Sequence, residues 1–376
     1  MPASPEQAFL LLVSASGRAL AQSAARCGMP VVVLDLFNDM DLRALASASR
    51  CVAGRGGKFD GAKLLAAATE LCPPEACAGV VYGSGLEGRP RLLERLVRGR
   101  KLFGNAPATV AMLKDPLRFF PLLASLGIAH PPVRLEPPDD ASCWLVKRIG
   151  GAGGSHIKPA RSRHRARPHR YFQARQPGRT LSALFVADGR QAQLVGFNEQ
   201  WHTTARRSSP YCYGGAVSRP AVPASVRAGV ASMLDELVRA THLVGLNGMD
   251  FILDGETPCV LEINPRPTAT IDLYDADVEG GLVALHLGAC RGELPPISQS
   301  GGSRAHAIVY ADRPLRVPAG MAWPQWCTDL PAGGSQIPAG APVCSVHAAA
   351  PTSVEARELV AARRMQMETA LWERAA

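Results

Sequence analysis

The stretch from residue 248 to 267 constrains the fold of this chain more than any other. It reads Gly248-Met249-Asp250-Phe251-Ile252-Leu253, then Asp254-Gly255, then Val260-Leu261-Glu262-Ile263-Asn264-Pro265-Arg266-Pro267. Two apolar runs joined through Asp-Gly predict an antiparallel strand pair. In such a pair Asp250 and Glu262 can lie opposite each other, and Asn264 shares the face of Glu262 because strand side chains alternate with period two. The apolar neighbours on both strands turn these carboxylates inward. Buried like charges repel unless a cation lies between them. Two carboxylates and an amide are hard oxygen donors that suit Mg²⁺, with Mn²⁺ as the substitute, and such ions keep positions for water and substrate phosphates. A plainer reading of the same residues, as exposed strand carboxylates paired with Arg266, stays open at this level.

A second segment makes the argument together with the first. Leu145-Val146-Lys147-Arg148-Ile149-Gly150-Gly151-Ala152-Gly153-Gly154-Ser155-His156 is a strand running into a glycine-rich turn. Glycines let backbone N–H groups approach phosphate oxygens closely, and a lysine at the strand end adds a point charge. Elsewhere, the run from Phe9 to Val13, a helical period over Arg18 to Cys27 stopped by Gly28, and the β-branched run Val31 to Leu34 form a βαβ unit. Val80 to Tyr82 continues the alternation, which implies a parallel sheet with helices on its faces. The loop Ser14 to Gly17 lacks the three-glycine dinucleotide fingerprint, so a nicotinamide cofactor is not supported. Further on we expect a helix over Pro116 to Leu126, paired strands over Leu181 to Val186 and Gln193 to Phe197 turning at Asp188-Gly189, and a helix over Ala224 to Thr241. A helix over Val278 to Cys290, a Gly/Ser/Pro stretch over Pro295 to Ser303, short strands, and a terminal helix over Ser353 to Arg374 complete the chain.

Composition narrows the function classes. A chain of 376 residues with 47% hydrophobic and 19% charged residues can bury two or three cores and does not have the composition of a disordered chain. The apolar run Ala8 to Val13 is far short of the roughly 20 residues that span a bilayer, and no basic leader precedes it. We expect a cytoplasmic protein without a membrane partner. The 10 cysteines are scattered without a CxxC pair or zinc-spaced histidines, so they read as reduced core residues. The net charge of +9 invites nucleic acid, but the densest basic run, Lys158, Arg161, Arg163, His164, Arg165, Arg167, His169 and Arg170, has no interleaved aromatics to stack on bases. It reads first as a solvated loop and second as a lure for an anionic substrate. A nucleic-acid partner is not expected.

The KRIGGAGGSH segment, the Asp-Gly-turned strands at Leu181 to Phe197 and MDFILDG…VLEINPRP resemble the ATP-grasp superfamily, which includes biotin carboxylase, D-alanine ligase and purine-pathway ligases. The resemblance runs from about Leu113 to Leu287. It implies an α/β chain in three parts: a Rossmann-like pre-ATP-grasp domain over 1–112, a two-lobed ATP-grasp domain over 113–298, and a small β-rich C-terminal region with a terminal helix over 299–376. By this resemblance Lys147, Gly150, Gly151, Gly153, Gly154 and Ser155 bind the phosphates of ATP, and Gln173 begins the strand that holds adenine. Asp250, Glu262 and Asn264 hold Mg²⁺, and Arg266 together with Lys147 steadies the transferring phosphoryl group; a guanidinium fork matches phosphate oxygens bidentately. The implied activity is an ATP-dependent carboxylate–amine ligase that works through an acyl phosphate and takes small-molecule substrates, with a homodimer left open. The stretches Tyr82-Gly83-Ser84-Gly85-Leu86-Glu87 and Gly104-Asn105 extend the similarity to carboligases of methylotrophic bacteria linked to methanofuran or tetrahydromethanopterin, related to an archaeal tyramine–glutamate ligase.

The chain departs from the family pattern at three places. Asp115-Pro116 stands where members carry Asp-Lys, with Lys114 as the substitute for the lysine that reaches ATP. Gln173-Ala174 replaces Gln-Glu, and Arg179 stands where an acidic residue meets the ribose. These departures keep two alternatives in view: a biotin-carboxylase-like carboxylation of bicarbonate, and a nucleotide-binding regulatory protein that has lost catalysis. The segment Lys158 to Arg170 is expected in a closing lid, and Trp201 to Gly215 in a substrate loop.

Overall fold

The computed structural model describes residues 8–161, 164–206, 208–297 and 301–373. Arg163 of the basic run, the expected helix end at Arg374, and residues 298–300 of the Gly/Ser/Pro stretch lie outside these residues.

The N-terminal part is a parallel five-stranded sheet of order β3-β2-β1-β4-β5, built from β1 (Phe9–Val13), β2 (Val31–Asp35), β3 (Ala48–Cys51), β4 (Cys77–Tyr82) and β5 (Leu102–Phe103). Its central strands are covered on both faces, which is why they read as unbroken apolar runs; Leu10, Leu11, Leu12 and Val13 are all buried. A small antiparallel sheet follows, of order β6-β9-β7-β8, from β6 (Val133–Arg134), β7 (Trp144–Arg148), β8 (Lys158–Pro159) and β9 (Arg170–Ala174). It carries the glycine-rich turn between β7 and β8.

The largest sheet has eight strands in the order β14-β13-β10-β11-β12-β15-β19-β17. They are β10 (Arg179–Asp188), β11 (Ala192–His202), β12 (Tyr213–Ser218), β13 (Val244–Asp254), β14 (Thr257–Asn264), β15 (Ser303–Tyr310), β17 (Cys327–Thr328) and β19 (Pro342–Ala350), with β16 (Leu315–Arg316) and β18 (Gln336–Ile337) paired apart. The expected short C-terminal strands therefore extend this same sheet. Both Asp-Gly turns form as expected: Asp188 Oδ1 accepts from Arg190 and Gln191 amides, and Gly189 and Gly255 have φ of 90° and 59°.

Strand alternation divides the sheet cleanly. Leu181, Phe185, Phe251 and Ile263 pack under helix Ala224–Thr241 through Val230, Leu234 and Leu237, while Ala305, Ala307 and Val346 pack under helix Ser353–Glu373 through Val360 and Met367. The residues between them in sequence face the other way, toward the N-terminal sheet, where Leu184, Val186 and Ala216 join Leu10, Leu12 and helix Gly281–Ala289 in one core. The polar residues Ser182, Asn198, Asp250 and His306 belong to this second face. No helix among the described residues is long and apolar enough to cross a membrane.

Candidate active site

The hairpin register puts Asp250 directly opposite Glu262 and Gly248 opposite Asn264, on the face turned toward the N-terminal sheet. Asn264 Nδ2 donates to Asp250 Oδ2 at 2.9 Å, and Gln200 Nε2, from β11, donates to the other oxygen at 3.0 Å. The alternative in which the strand carboxylates pair with Arg266 is corrected here. Lys114, not Arg266, meets Glu262: its ammonium donates to Glu262 Oε2 at 2.9 Å and to Asn264 Oδ1 at 3.0 Å. Burial alone raises the Glu262 carboxyl, but Lys114 and Lys147 outweigh it and hold this group below its usual range. Asp250 is pushed up to about 7, by burial and by the charge of Glu262 beside it. Like charges at close range thus favour one proton or one cation between the pair.

The departure at Asp115-Pro116 has a local cause. Helix Pro107–Lys114 stops, Asp115 Oδ1 caps Leu117 N–H at 3.0 Å, and Pro116 takes the first position of helix Pro116–Ser125, where its missing N–H is harmless. Lys114 is therefore the last residue of a helix aimed at the hairpin. Its ammonium stands among the oxygen donors as a cation does, so the donor set fits a hard divalent ion.

Lys147 is buried, with Val146 beside it in the small-sheet core and its own charge facing Glu262 and Asp250; burial lowers its affinity for the proton. The glycine-rich turn closes over the site by contact with protein as well as by its shape. A Cβ on Gly150 would stand 2.5 Å from Gly88 Cα, and one on Gly154 would stand 1.7 Å from Tyr211 O. Gly153 O accepts from Tyr213 N–H at 3.1 Å, so the turn docks on the stretch Trp201 to Gly215. Gly151 lies against the His156 ring, whose Nδ1 is buried without a partner, and Ser155 O accepts from Ser209 Oγ at 3.5 Å. Gln173 pairs in β9 with Val133 and Leu145, is 1% exposed, and has no acceptor for its Nε2 among the described residues, a donor orphaned in a buried place. Such a group calls for a ligand acceptor.

Beside the turn is a cavity of about 720 Å³ lined by Lys147, Arg148, Lys158, Arg161 and Arg170, with no carboxylate among its described lining residues. Lys158, Arg161, His164 and Arg170 of the basic run therefore line a cleft, which favours their reading as an anion attractor. Arg179 points elsewhere. It binds Glu199 at 2.6 Å and Ala221 O at 3.0 Å on the opposite face of the sheet from Asp250, so it does not reach this site.

Arg266 is held by the N-terminal part. It forms a buried ion pair with Glu87 and donates to Pro267 O at 3.0 Å. Burial alone would raise the Glu87 carboxyl; Arg266 and then Lys114 outweigh it and keep the group low. Asn105 Nδ2 donates to Pro265 O at 3.0 Å and to Asn247 Oδ1 at 2.8 Å, and Tyr82 Oη donates to Asn105 O at 2.7 Å. Glu87, Asn105 and Gln200 had no role legible in the sequence. The stretches holding Glu87 and Asn105 stood out as motifs, but only the fold brings them to the hairpin end.

Residues 114–270 match the ATP-grasp domain family. The chain has an ATP-grasp fold. Solved ATP-grasp enzymes superpose on nearly all of it. Biotin carboxylase from Campylobacter jejuni, solved as a β-γ-ATP complex, has TM-score 0.71 at 13% identity and covers 93% of this chain and 89% of its own. The N5-carboxyaminoimidazole ribonucleotide synthetase of Thermus thermophilus has TM-score 0.67 at 17% identity, covering 94% and 97%. The biotin carboxylase domain of Hydrogenobacter thermophilus 2-oxoglutarate carboxylase, solved with MgADP, ADP and bicarbonate, has TM-score 0.69 at 14% identity, covering 94% and 89%. No curated protein sequence matches the chain significantly. At these identities the ATP-grasp superpositions speak for fold alone.

Proposed function

We propose that this protein is an ATP-dependent carboxylate–amine ligase that releases ADP and phosphate. The observation that carries the reading is the trio Asp250, Glu262 and Asn264 on paired strands, with the Lys114 ammonium lodged among its oxygens. These three residues would hold Mg²⁺ or Mn²⁺, and such an ion, when bound, offsets the negative charge of the triphosphate and of the transferring phosphoryl group. Lys114 would leave Glu262 as the ion arrives and carry its charge to the phosphates. Lys147 and the glycine-rich turn from Gly150 to Ser155 bind the phosphate chain, and the Gln173 amide donates to the base. Arg266, oriented by Glu87, presents its remaining guanidinium N–H groups to the γ-phosphoryl oxygens.

A substrate carboxylate oxygen attacks the γ-phosphorus, and the bond to the β-phosphate oxygen breaks to release ADP. The amine nitrogen then attacks the acyl carbon, phosphate leaves, and the amine loses a proton. The turn docked on Gly88 and Tyr211 keeps water from the acyl phosphate. The sequence similarity extends the reading to biosynthesis of a one-carbon carrier cofactor, methanofuran or tetrahydromethanopterin.

The test is ADP release by the purified chain across pairs of small carboxylates and amines. Release that requires both partners, and a hydroxamate when hydroxylamine replaces the amine, supports the ligase. In the alternative of a biotin-carboxylase-like carboxylation, ADP release follows bicarbonate and biotin with no amine. Nucleotide binding without turnover for any acid supports a regulatory protein instead.

A further inference from the structure

The face that carries Asp250 continues past β11. Gln200 pairs with Ala216, Ala216 with His306, and His306 with His347, so one row of residues runs from the carboxylate end of the sheet into the C-terminal strands. At its far end Asp272, His306 and His347 each bring one ligand atom within 4.8 Å of the others. We propose that these three side chains form a second metal site, for a nitrogen-seeking divalent ion of the Zn²⁺ type, separate from the nucleotide site.

Three observations support it. His306 is 4% exposed, its Nε2 meets Tyr213 Oη at 2.7 Å, and its Nδ1 is buried with no partner among the described residues, a ring nitrogen held in place and left over. The side chains of the other two are held as well. His347 Nε2 meets Thr328 Oγ1 at 2.7 Å, and Arg18 grips Asp272 with bonds of 2.8 and 2.6 Å to its two oxygens. Partners that orient each ligand from behind are what metal-binding imidazoles and carboxylates require, and a carboxylate oxygen bonded once keeps a further lone pair.

Charge is the third observation. Arg18 also meets Asp329 at 3.3 Å, so Asp272 and Asp329 share one guanidinium, and Asp41 lies behind Asp329, where it accepts from the Asp329 and Leu330 amides. Asp39, next to this group, is pushed up to about 8, first by burial and then by Asp329, Asp35 and Asp41. A divalent ion balances this surplus.

Two imidazoles with one carboxylate is a donor set for zinc or ferrous iron, whereas Mg²⁺ takes oxygen. Bonds of about 2 Å need ligand atoms roughly 3.4 Å apart, so side-chain shifts of ~1 Å complete the shell. The ion would tie β15 and β19 to the N-terminal helix that carries Arg18. Three protein ligands also leave a position open for water or a substrate donor.

The proposal stands apart from the ligase reading and is tested without turnover. The full chain is loaded with Zn²⁺ or Co²⁺, dialysed, and analysed for metal content. We expect one equivalent retained, with the visible d–d absorption of tetrahedral cobalt and nitrogen ligation. His306→Ala and His347→Ala should each lose that equivalent while the exposed His242→Ala keeps it. If a variant fails to fold, the cobalt spectrum of the unaltered chain still decides. Absence of a stoichiometric, nitrogen-ligated ion there, or retention of it in folded His306→Ala, overturns the site.

Discussion

Two trios of donors lie along one sheet face, the second completed by Asp272 from the 3₁₀ turn Ala269–Leu273, and each has a cationic side chain resting on a carboxylate. At one end Lys114 touches Glu262 through a single oxygen; at the other Arg18 grips both oxygens of Asp272 and reaches Asp329 as well. The first cation is a compact point charge on a flexible stem, the second a rigid fork with little freedom to leave. Neighbouring sites on one scaffold can therefore differ in reversibility. A lysine can give way to a metal that comes and goes with nucleotide, while an arginine stays as a permanent brace behind its carboxylate.

The largest effect should come from Glu262→Gln. This nearly isosteric change removes a carboxylate charge that the proposed metal would need and should lower ADP release on the order of 10³-fold with the circular dichroism spectrum intact. A variant as active as the parent would remove the reversible site from the contrast altogether. Arg266→Lys should follow, with a loss of roughly 10²-fold, because a point charge cannot present a fork. Glu87→Ala acts through the same arginine. It leaves a buried guanidinium unpaired and should lower unfolding free energy by about 3–5 kcal/mol in urea titration.

Lys114→Met addresses the difference between the two cations directly. Without its lysine the carboxylate pair faces itself, so the metal-free protein should lose roughly 1–3 kcal/mol, and added Mg²⁺ should restore more stability than it adds to the parent. Equal magnesium responses would mean that Lys114 and the ion do not compete for one place.

A pH series probes the same pair. Asp250 titrates at about 7 in the folded protein and near 4 when unfolded. Between those values the folded protein keeps a proton that the unfolded chain has released, so metal-free stability falls as pH rises from about 4 to 7. Asp250→Asn should flatten that slope in thermal melts, and Mg²⁺ should bind more weakly as pH drops below about 7. The smallest effect belongs to Arg179→Ala. Its exposed pair with Glu199 is worth about 0–1 kcal/mol, and nucleotide binding measured by calorimetry should not change, because the side chain lies on the other face.

Much of the fold was legible in local pattern. Unbroken apolar runs marked the buried parallel strands, and both Asp-Gly turns formed where expected. The helices over Pro116–Ser125 and Ala224–Thr241 lie within a residue of their expected bounds. The helix expected from Val278 begins later, at Gly281, because Asp275 and its neighbours form a short 3₁₀ turn and the Asp275 carboxylate accepts the Leu282 amide at 2.7 Å. The hairpin and its turn were legible, but the facing of the trio was not set by the turn alone: the two-residue connection pairs Asp254 with Thr257 and Phe251 with Val260, and a bulge between Asp250 and Phe251 then shifts the register by one so that Asp250 meets Glu262. Glu87, Asn105, Gln200 and the histidine row were not legible, since each reaches its partner across a large separation in the chain.

Local sequence was enough to specify the strand pair and its turn, the glycine-rich turn, and the alternation that puts Asp250 and His306 each on one face of its own strand. It took the assembled molecule to make those the same face, to extend that sheet with β15 and β19, to give Arg266 to Glu87, and to stand Lys114 among the donors. Period-two alternation and turn chemistry act over a few residues and are written locally. Strand order and the docking of one sheet on another follow from burying apolar surface across the whole chain, and no short stretch encodes them.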